Sequence, residues 1–164
     1  MNASSAPPSS AARRAWMAVL ARTPRAELET ALADALDGES APPFDWLRPP
    51  QTGLAMVRGR VGGTGDAFNL GETTVTRATL RLRGENLSGA TGVVGVACHL
   101  GRDKRRVELA ALADALLQLP ERHARLYERL VAPLAGRIEA RRTQQRNDTA
   151  GTRVEFFTMV RGDA

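Results

Sequence analysis

The spacing of apolar positions changes period along the chain, and each change marks a different kind of element. Leu28, Ala31, Leu32, Ala35 and Leu36 recur at i, i+3, i+4, i+7 and i+8, which predicts a helix with one buried stripe. A shorter helix over 11–21 precedes it, with Trp16, Val19 and Leu20 on its apolar side. Thr23-Pro24 predicts an N-cap followed by proline at the first helical position, and Gly38 a stop. Ala41-Pro42-Pro43 and Pro49-Pro50 bracket Phe44-Asp45-Trp46-Leu47 and predict a stiff connector outside any sheet.

Beyond the connector the period falls to two. Over 53–61, Leu54, Met56, Arg58 and Arg60 alternate with Ala55, Val57, Gly59 and Val61. Over 72–83, Thr74, Thr76, Ala78, Leu80 and Leu82 oppose Thr73, Val75, Arg77, Thr79, Arg81 and Arg83. Residues 84–92 form a loop, and 93–100 a third strand with few large side chains. Asp103 is placed to cap a helix whose stripe is Leu109, Leu112, Ala113 and Leu116. A further helical region covers about 121–146, kinked near Pro133, with a seam of Tyr127, Leu130, Leu134 and Ile138. Its rear, 139–149, is polar all round, and 152–160 again has the composition of a strand. Short links between successive strands predict an α+β fold: a small antiparallel sheet with helices packed on one side, in a single domain.

Composition narrows the class. The 164 residues suffice for one domain over 11–164, and residues 1–10 read as a disordered N-terminal tail without a secretory signal. Aromatic residues make up only 4%, so the core must be Leu, Val and Ala. A single cysteine, Cys98, excludes an internal disulfide and any multi-cysteine metal site, and suits a cytoplasmic protein. No apolar run approaches the roughly 20 residues that span a bilayer. Charge is skewed: 1–50 hold five basic residues against six acids, and 51–164 hold 18 against 12. That excess suits an anionic ligand, an acidic partner surface or nucleic acid.

Self-contained catalytic chemistry is hard to find. His99 and His123 lie in different elements and form no metal-ligand spacing. Cys98 and His99 are strand neighbours, so they point to opposite faces, and the cysteine reads as buried and structural. The carboxylates are scattered, mostly on helix surfaces. The chain is therefore expected to contain no catalytic residue, no metal ligands and no cofactor of its own.

Two segments are candidates for holding an anion. Gly62-Gly63-Thr64-Gly65 is neither a P-loop nor G-x-G-x-x-G, and reads either as a tight turn or as a loop approached by phosphate. Arg58 and Arg60 precede it, and Arg77 is expected across from them in the next strand. Arg102 and Lys104 cluster at a helix start, where unpaired N–H groups favour anions. Phe156, Phe157 and Met159 near the C-terminus, with Arg161 and the helical Trp16, are candidates for subunit docking or core. The terminal strand pairs either with its own sheet or with a partner subunit.

The order and spacing of several segments resemble one family. They are Trp16-Met17-Ala18-Val19-Leu20-Ala21, Thr52-Gly53-Leu54, Gly62-Gly63-Thr64-Gly65, Thr76-Arg77, Arg81-Leu82, Leu100-Gly101-Arg102-Asp103-Lys104, Ala132-Pro133-Leu134 and Val154-Glu155-Phe156-Phe157-Thr158-Met159-Val160-Arg161-Gly162-Asp163. Together they resemble PhnG, the small subunit of the bacterial carbon–phosphorus lyase core complex. Residues 84–92 look longer than the family's hairpin, and 96–99 lack the aromatic expected there. The resemblance implies a cytoplasmic complex with H, I and J subunits. With an accessory ATPase-like protein, its G, H and I subunits act as a transferase, exchanging the adenine of ATP for an alkylphosphonate to give ribose 1-phosphonate 5-triphosphate. S-adenosylmethionine and an iron–sulfur cluster belong to a separate radical subunit. The rivals are a basic nucleic-acid-binding module, which the scarcity of aromatics disfavours, and a stand-alone nucleotide-binding enzyme.

Overall fold

The computed structural model describes residues 9–83 and 92–151. Helices α1 (Ser10–Arg22) and α2 (Arg25–Leu36) lead into strands β1 (Phe44–Arg60), β2 (Ala67–Leu82) and β3 (Val94–Leu100). Helices α3 (Lys104–Leu117), α4 (Pro120–Leu126) and α5 (Ala132–Gly151) follow, with a π turn over Tyr127–Val131 between the last two. The sheet is antiparallel in the order β1-β2-β3, and the helices cover one face. The expected α+β architecture is correct.

α3 is the centre of the molecule. Its residues from Leu109 to Leu117 are all buried, wider than the single stripe the spacing predicts, because the sheet lies on one side and α1, α2 and α4 on the other. β3 carries few large side chains for the same reason. A Cβ on Gly95 would stand 2.0 Å from the Ala111 carbonyl oxygen, so only glycine lets the helix backbone come this close. From β2, Thr76, Ala78, Leu80 and Leu82 are buried beneath the helices. Each fully buried leucine contributes about 1.5–3 kcal/mol of hydrophobic stabilisation.

The punctuation is partly as expected. Asp103 Oδ1 accepts from the Arg106 backbone N–H at 3.0 Å and caps α3. Asp37 (φ 54°) and Gly38 (φ 79°) take left-handed angles and stop α2. Thr23 is not an N-cap: its hydroxyl turns back to donate to the Val19 carbonyl at 2.9 Å, closing α1, and Pro24 precedes the first turn of α2. Pro133 lies just after the π turn; without an N–H it cannot bond four residues back, which favours the wider turn before it.

The connector is the main correction. Phe44-Asp45-Trp46-Leu47 and Pro49-Pro50 belong to β1, a 17-residue strand. β1 is an edge strand, so the missing proline N–H groups need no partner on the open side. The pairing slips between Arg48, opposite Thr79, and Gln51, opposite Arg77, to pass the two prolines.

β2 begins at Ala67, earlier than alternation predicts, and β3 reaches it only from Val75 onward. Among the described residues, the strand pairing of 67–74 is therefore with β1 alone. The result is a two-stranded arm about 27 Å long that extends past the helices.

Candidate functional site

The arm ends in the glycine loop. Gly62 (φ 58°) and Gly63 (φ 81°) adopt angles that disfavour other residues, and the Gly65 N–H donates to the Val61 carbonyl at 3.0 Å. Arg60 curls over this turn and donates to the Gly65 carbonyl at 2.9 Å. Arg58, Gly59, Arg60, Gly63 and Ala67 line a shallow, open cleft at the tip, and Thr64 stands exposed beside it. The turn reading of the glycines is thus realised, and one of the two arginines is partly spent in holding it.

Arg77 is not part of this cluster. The register puts it opposite Gln51 on β1 and Cys98 on β3, whereas Arg58 faces Asn69. Seven positions separate Gln51 from Arg58, about 23 Å along the strand. The expectation that Arg77 lies across from Arg58 and Arg60 fails, because alternation assigns a residue to a face but leaves the register open.

Arg77 instead points away from the helices, on the other side of β2 from Thr76, whose hydroxyl belongs to a second cluster at the far end of β3. The Gly101 N–H donates to the Thr74 carbonyl at 2.8 Å, and the Thr76 hydroxyl to the Gly101 carbonyl at 2.6 Å. Thr52 and Thr76 hydroxyls lie 3.1 Å apart. This relay ties the turn before α3, which presents exposed Arg102 and Lys104, to β2 and β1. Three of the motifs noted in the sequence, Thr52-Gly53-Leu54, Thr76-Arg77 and Leu100-Gly101-Arg102-Asp103-Lys104, meet here. Gln51, Gly53, Val75, Arg77 and Cys98 share a shallow depression beside it.

Other candidates resolve differently. Trp16 is fully buried in this chain's own core, where its indole N–H donates to Asp114 Oδ1 at 2.9 Å. Cys98 is exposed, contrary to the expectation of a buried thiol, while His99 is buried on the opposite face. Burial, and then the nearby Arg106 guanidinium, push the His99 imidazole below its ordinary pKa, against a smaller opposing pull from Asp103. Phe156, Phe157, Met159 and Arg161 lie outside the described residues. Among the described residues, no three His, Cys, Asp or Glu side chains cluster to hold a metal.

Two features escaped the sequence reading. Asp114 is a fully buried carboxylate, not a solvated one, held by Arg13, Trp16, the Val96 N–H and Gln118. Its signal was a lone acid inside the otherwise apolar run Leu109–Leu117. The other is the arm's apolar surface: Leu54, Met56, Val61, Phe68 and Leu70 are each 43% exposed or more. No helix is long and apolar enough to cross a membrane among the described residues.

The model of the phosphonate metabolism protein PhnG matches residues 11–162. A Rhizobium meliloti (strain 1021) protein, described as alpha-D-ribose 1-methylphosphonate 5-triphosphate synthase subunit PhnG, is 48% identical over 153 residues, covering 93% of this chain and 91% of that one. A match of this extent, across the helices, the arm and the α3 turn alike, makes the chain a member of the PhnG family of phosphonate metabolism proteins.

Proposed function

We propose that this chain is a non-catalytic subunit of a ribose 1-phosphonate 5-triphosphate synthase, supplying docking surface and positive charge to partners that carry the reactive groups. The observation that carries the reading is the arm. Its two strands extend beyond the helices with large apolar side chains in solvent, and among the described residues nothing covers the sheet face opposite the helices. Large apolar side chains left in solvent on both faces of a thin arm suit a protein interface. The similar R. meliloti protein is named a subunit of such a synthase.

The finer assignment follows the family resemblance. The partners are the H, I and J subunits, in the cytoplasm, and the reaction of the assembly exchanges the adenine of ATP for an alkylphosphonate. This chain binds no cofactor, S-adenosylmethionine and the iron–sulfur cluster being the business of a separate subunit. Arg58 and Arg60 at the arm tip, Arg77 on the open sheet face, and Arg102 and Lys104 at the α3 turn are then three separate candidate contacts for phosphate or for acidic partner groups.

The test is co-purification of the tagged chain with co-expressed H, I and J subunits. Met56→Asp with Leu70→Asp, both on the exposed arm, is expected to abolish capture while circular dichroism and thermal stability of the isolated chain stay unchanged. Undiminished capture, or adenine exchange by this chain alone, would overturn the proposal.

A further inference from the structure

A cavity of about 240 Å³ lies between α1, β3 and α3, lined by Met17, Ala18, Leu20, Val107 and Ala110, with His99 and Arg106 as its polar groups. His99 is only 6% exposed, and neither of its ring nitrogens has a hydrogen-bond partner among the described residues. Arg106 donates one amino group to the Ala21 carbonyl at 2.6 Å, closing the end of α1. Its Nε–H is also unpartnered, and its guanidinium forms no ion pair among the described residues. Asp103, the nearest acid acting on both groups, is occupied in capping α3 and lies 3.9 Å from Arg25.

We propose that this cavity is a binding site for a small amphiphilic anion, a short aliphatic carboxylate, whose tail fills the apolar walls and whose head meets Arg106 and His99. Three features select that class. The walls are methyl and methylene groups, so a polar body would lose its hydration there without compensation. A half-buried guanidinium with a free Nε–H favours a charged acceptor, since charge-assisted hydrogen bonds are the stronger kind. The size fits: an apolar cavity of about 150 Å³ accommodates benzene, so one of 240 Å³ has room for a chain of roughly six carbons. Burial beside a cation keeps the imidazole neutral, able to donate to a carboxylate through one nitrogen. The site lies away from the arm, beneath α1 and the start of α3, and stands whether or not the chain docks as proposed above.

The test uses the full chain with hexanoate as the probe, and hexanol and acetate as its two halves. Histidine side-chain NMR is the readout, because it reports at His99 itself. Hexanoate is expected to shift the His99 ring signals saturably, at least tenfold more tightly than hexanol or acetate. Ala18→Leu, which fills the cavity from α1, is expected to weaken hexanoate at least tenfold. Arg106→Met is expected to reduce hexanoate to the affinity of hexanol while leaving hexanol unchanged; should that variant not fold, Ala18→Leu alone decides. His99 signals unmoved by hexanoate up to roughly 10 mM, hexanoate no tighter than hexanol, or full affinity in Ala18→Leu would each overturn the proposal.

Discussion

Replacing Asp114 with alanine tests the central packing argument most sharply. The carboxylate is fully buried and joins three elements. It accepts from Arg13 of α1 at 2.7 and 3.2 Å, from the Trp16 indole at 2.9 Å, from the Val96 backbone of β3 at 2.9 Å, and from Gln118 at 3.4 Å. Removing it does not trap a naked cation, because the Arg13 side chain is one-third exposed and keeps its bond to the Val94 carbonyl at 3.1 Å. What it strands are two donors, the Trp16 indole N–H and the Val96 N–H. Each buried donor left without an acceptor costs about 1–3 kcal/mol, so a loss of about 2–6 kcal/mol is expected for the two. At roughly 2–4 °C per kcal/mol for a chain of this size, the melting temperature should fall by about 4–24 °C.

Urea unfolding followed by circular dichroism and tryptophan fluorescence measures the loss. Double-mutant cycles with Trp16→Phe and Arg13→Met then divide it. Coupling of Asp114 to Trp16 should be at least about 1 kcal/mol and exceed that to Arg13, since the indole is dry and the guanidinium is not. A loss below about 1 kcal/mol, or simple additivity with Trp16→Phe, would refute the view that this carboxylate holds α1 and β3 onto α3.

Two further outcomes follow from the same core. Gly95→Ala should cost about 1–3 kcal/mol in urea unfolding, since its Cβ meets the Ala111 carbonyl at 2.0 Å and the Ala115 Cβ at 2.8 Å. Gly53→Ala, where a Cβ meets nothing within 4 Å, should stay within about 0.5 kcal/mol; equal effects would contradict the packing. The depressed pKa of His99 makes stability pH-dependent. Below its ordinary pKa of about 6.5 the unfolded chain takes up a proton that the folded chain still refuses. Stability is therefore whole above that pH and declines as pH falls through the folded value. His99→Leu should flatten this part of a urea-midpoint series. The lowered pKa values of Glu39, bonded to Arg125, and Asp45, bonded to Arg83, act only at lower pH, from about 4.5 downward. An unchanged slope between pH 5 and 6.5 would sink the assignment to His99.

Much of the architecture was legible because burial imposes periodicity. The stripe Leu28, Leu32, Ala35, Leu36 is buried as its spacing predicts, and so is the alternate set Thr76, Ala78, Leu80, Leu82. What failed was information that periodicity does not carry. Pro49 and Pro50 argue against a central strand but not against an edge strand with a slipped register, and nothing local says which β1 is. Arg77 was assigned the correct face and the wrong neighbours, since the pairing is set by irregularities at 48–51 and at 57–58. Asp114 was missed because its partner Trp16 lies 98 residues away in sequence. The candidate site divided for the same reason: residues that looked like one anion cradle belong to opposite ends of a strand.

The arm also bears on how docking must work. An isolated two-stranded hairpin is marginal in water, so residues 53–74 owe little of their order to each other. Leu54, Met56, Phe68 and Leu70 are each roughly half exposed, so covering them would gain only about half of the usual 1.5–3 kcal/mol apiece, on the order of 3–6 kcal/mol together. Association costs at least about 4 kcal/mol in lost freedom. The arm by itself therefore gives at best weak binding, and a stable assembly must also cover the sheet face opposite the helices, where Val75, Val96 and Leu100 stand among Arg77 and Arg81. A partner filling that face has to bring carboxylates or phosphate to the two arginines, because apolar groups alone would strip a guanidinium of water without replacing it. On the docking proposed above, the arm would add area and the arginines of the sheet face would select the partner by charge, so Arg77→Ala should weaken capture of the partner subunits more than Arg60→Ala does.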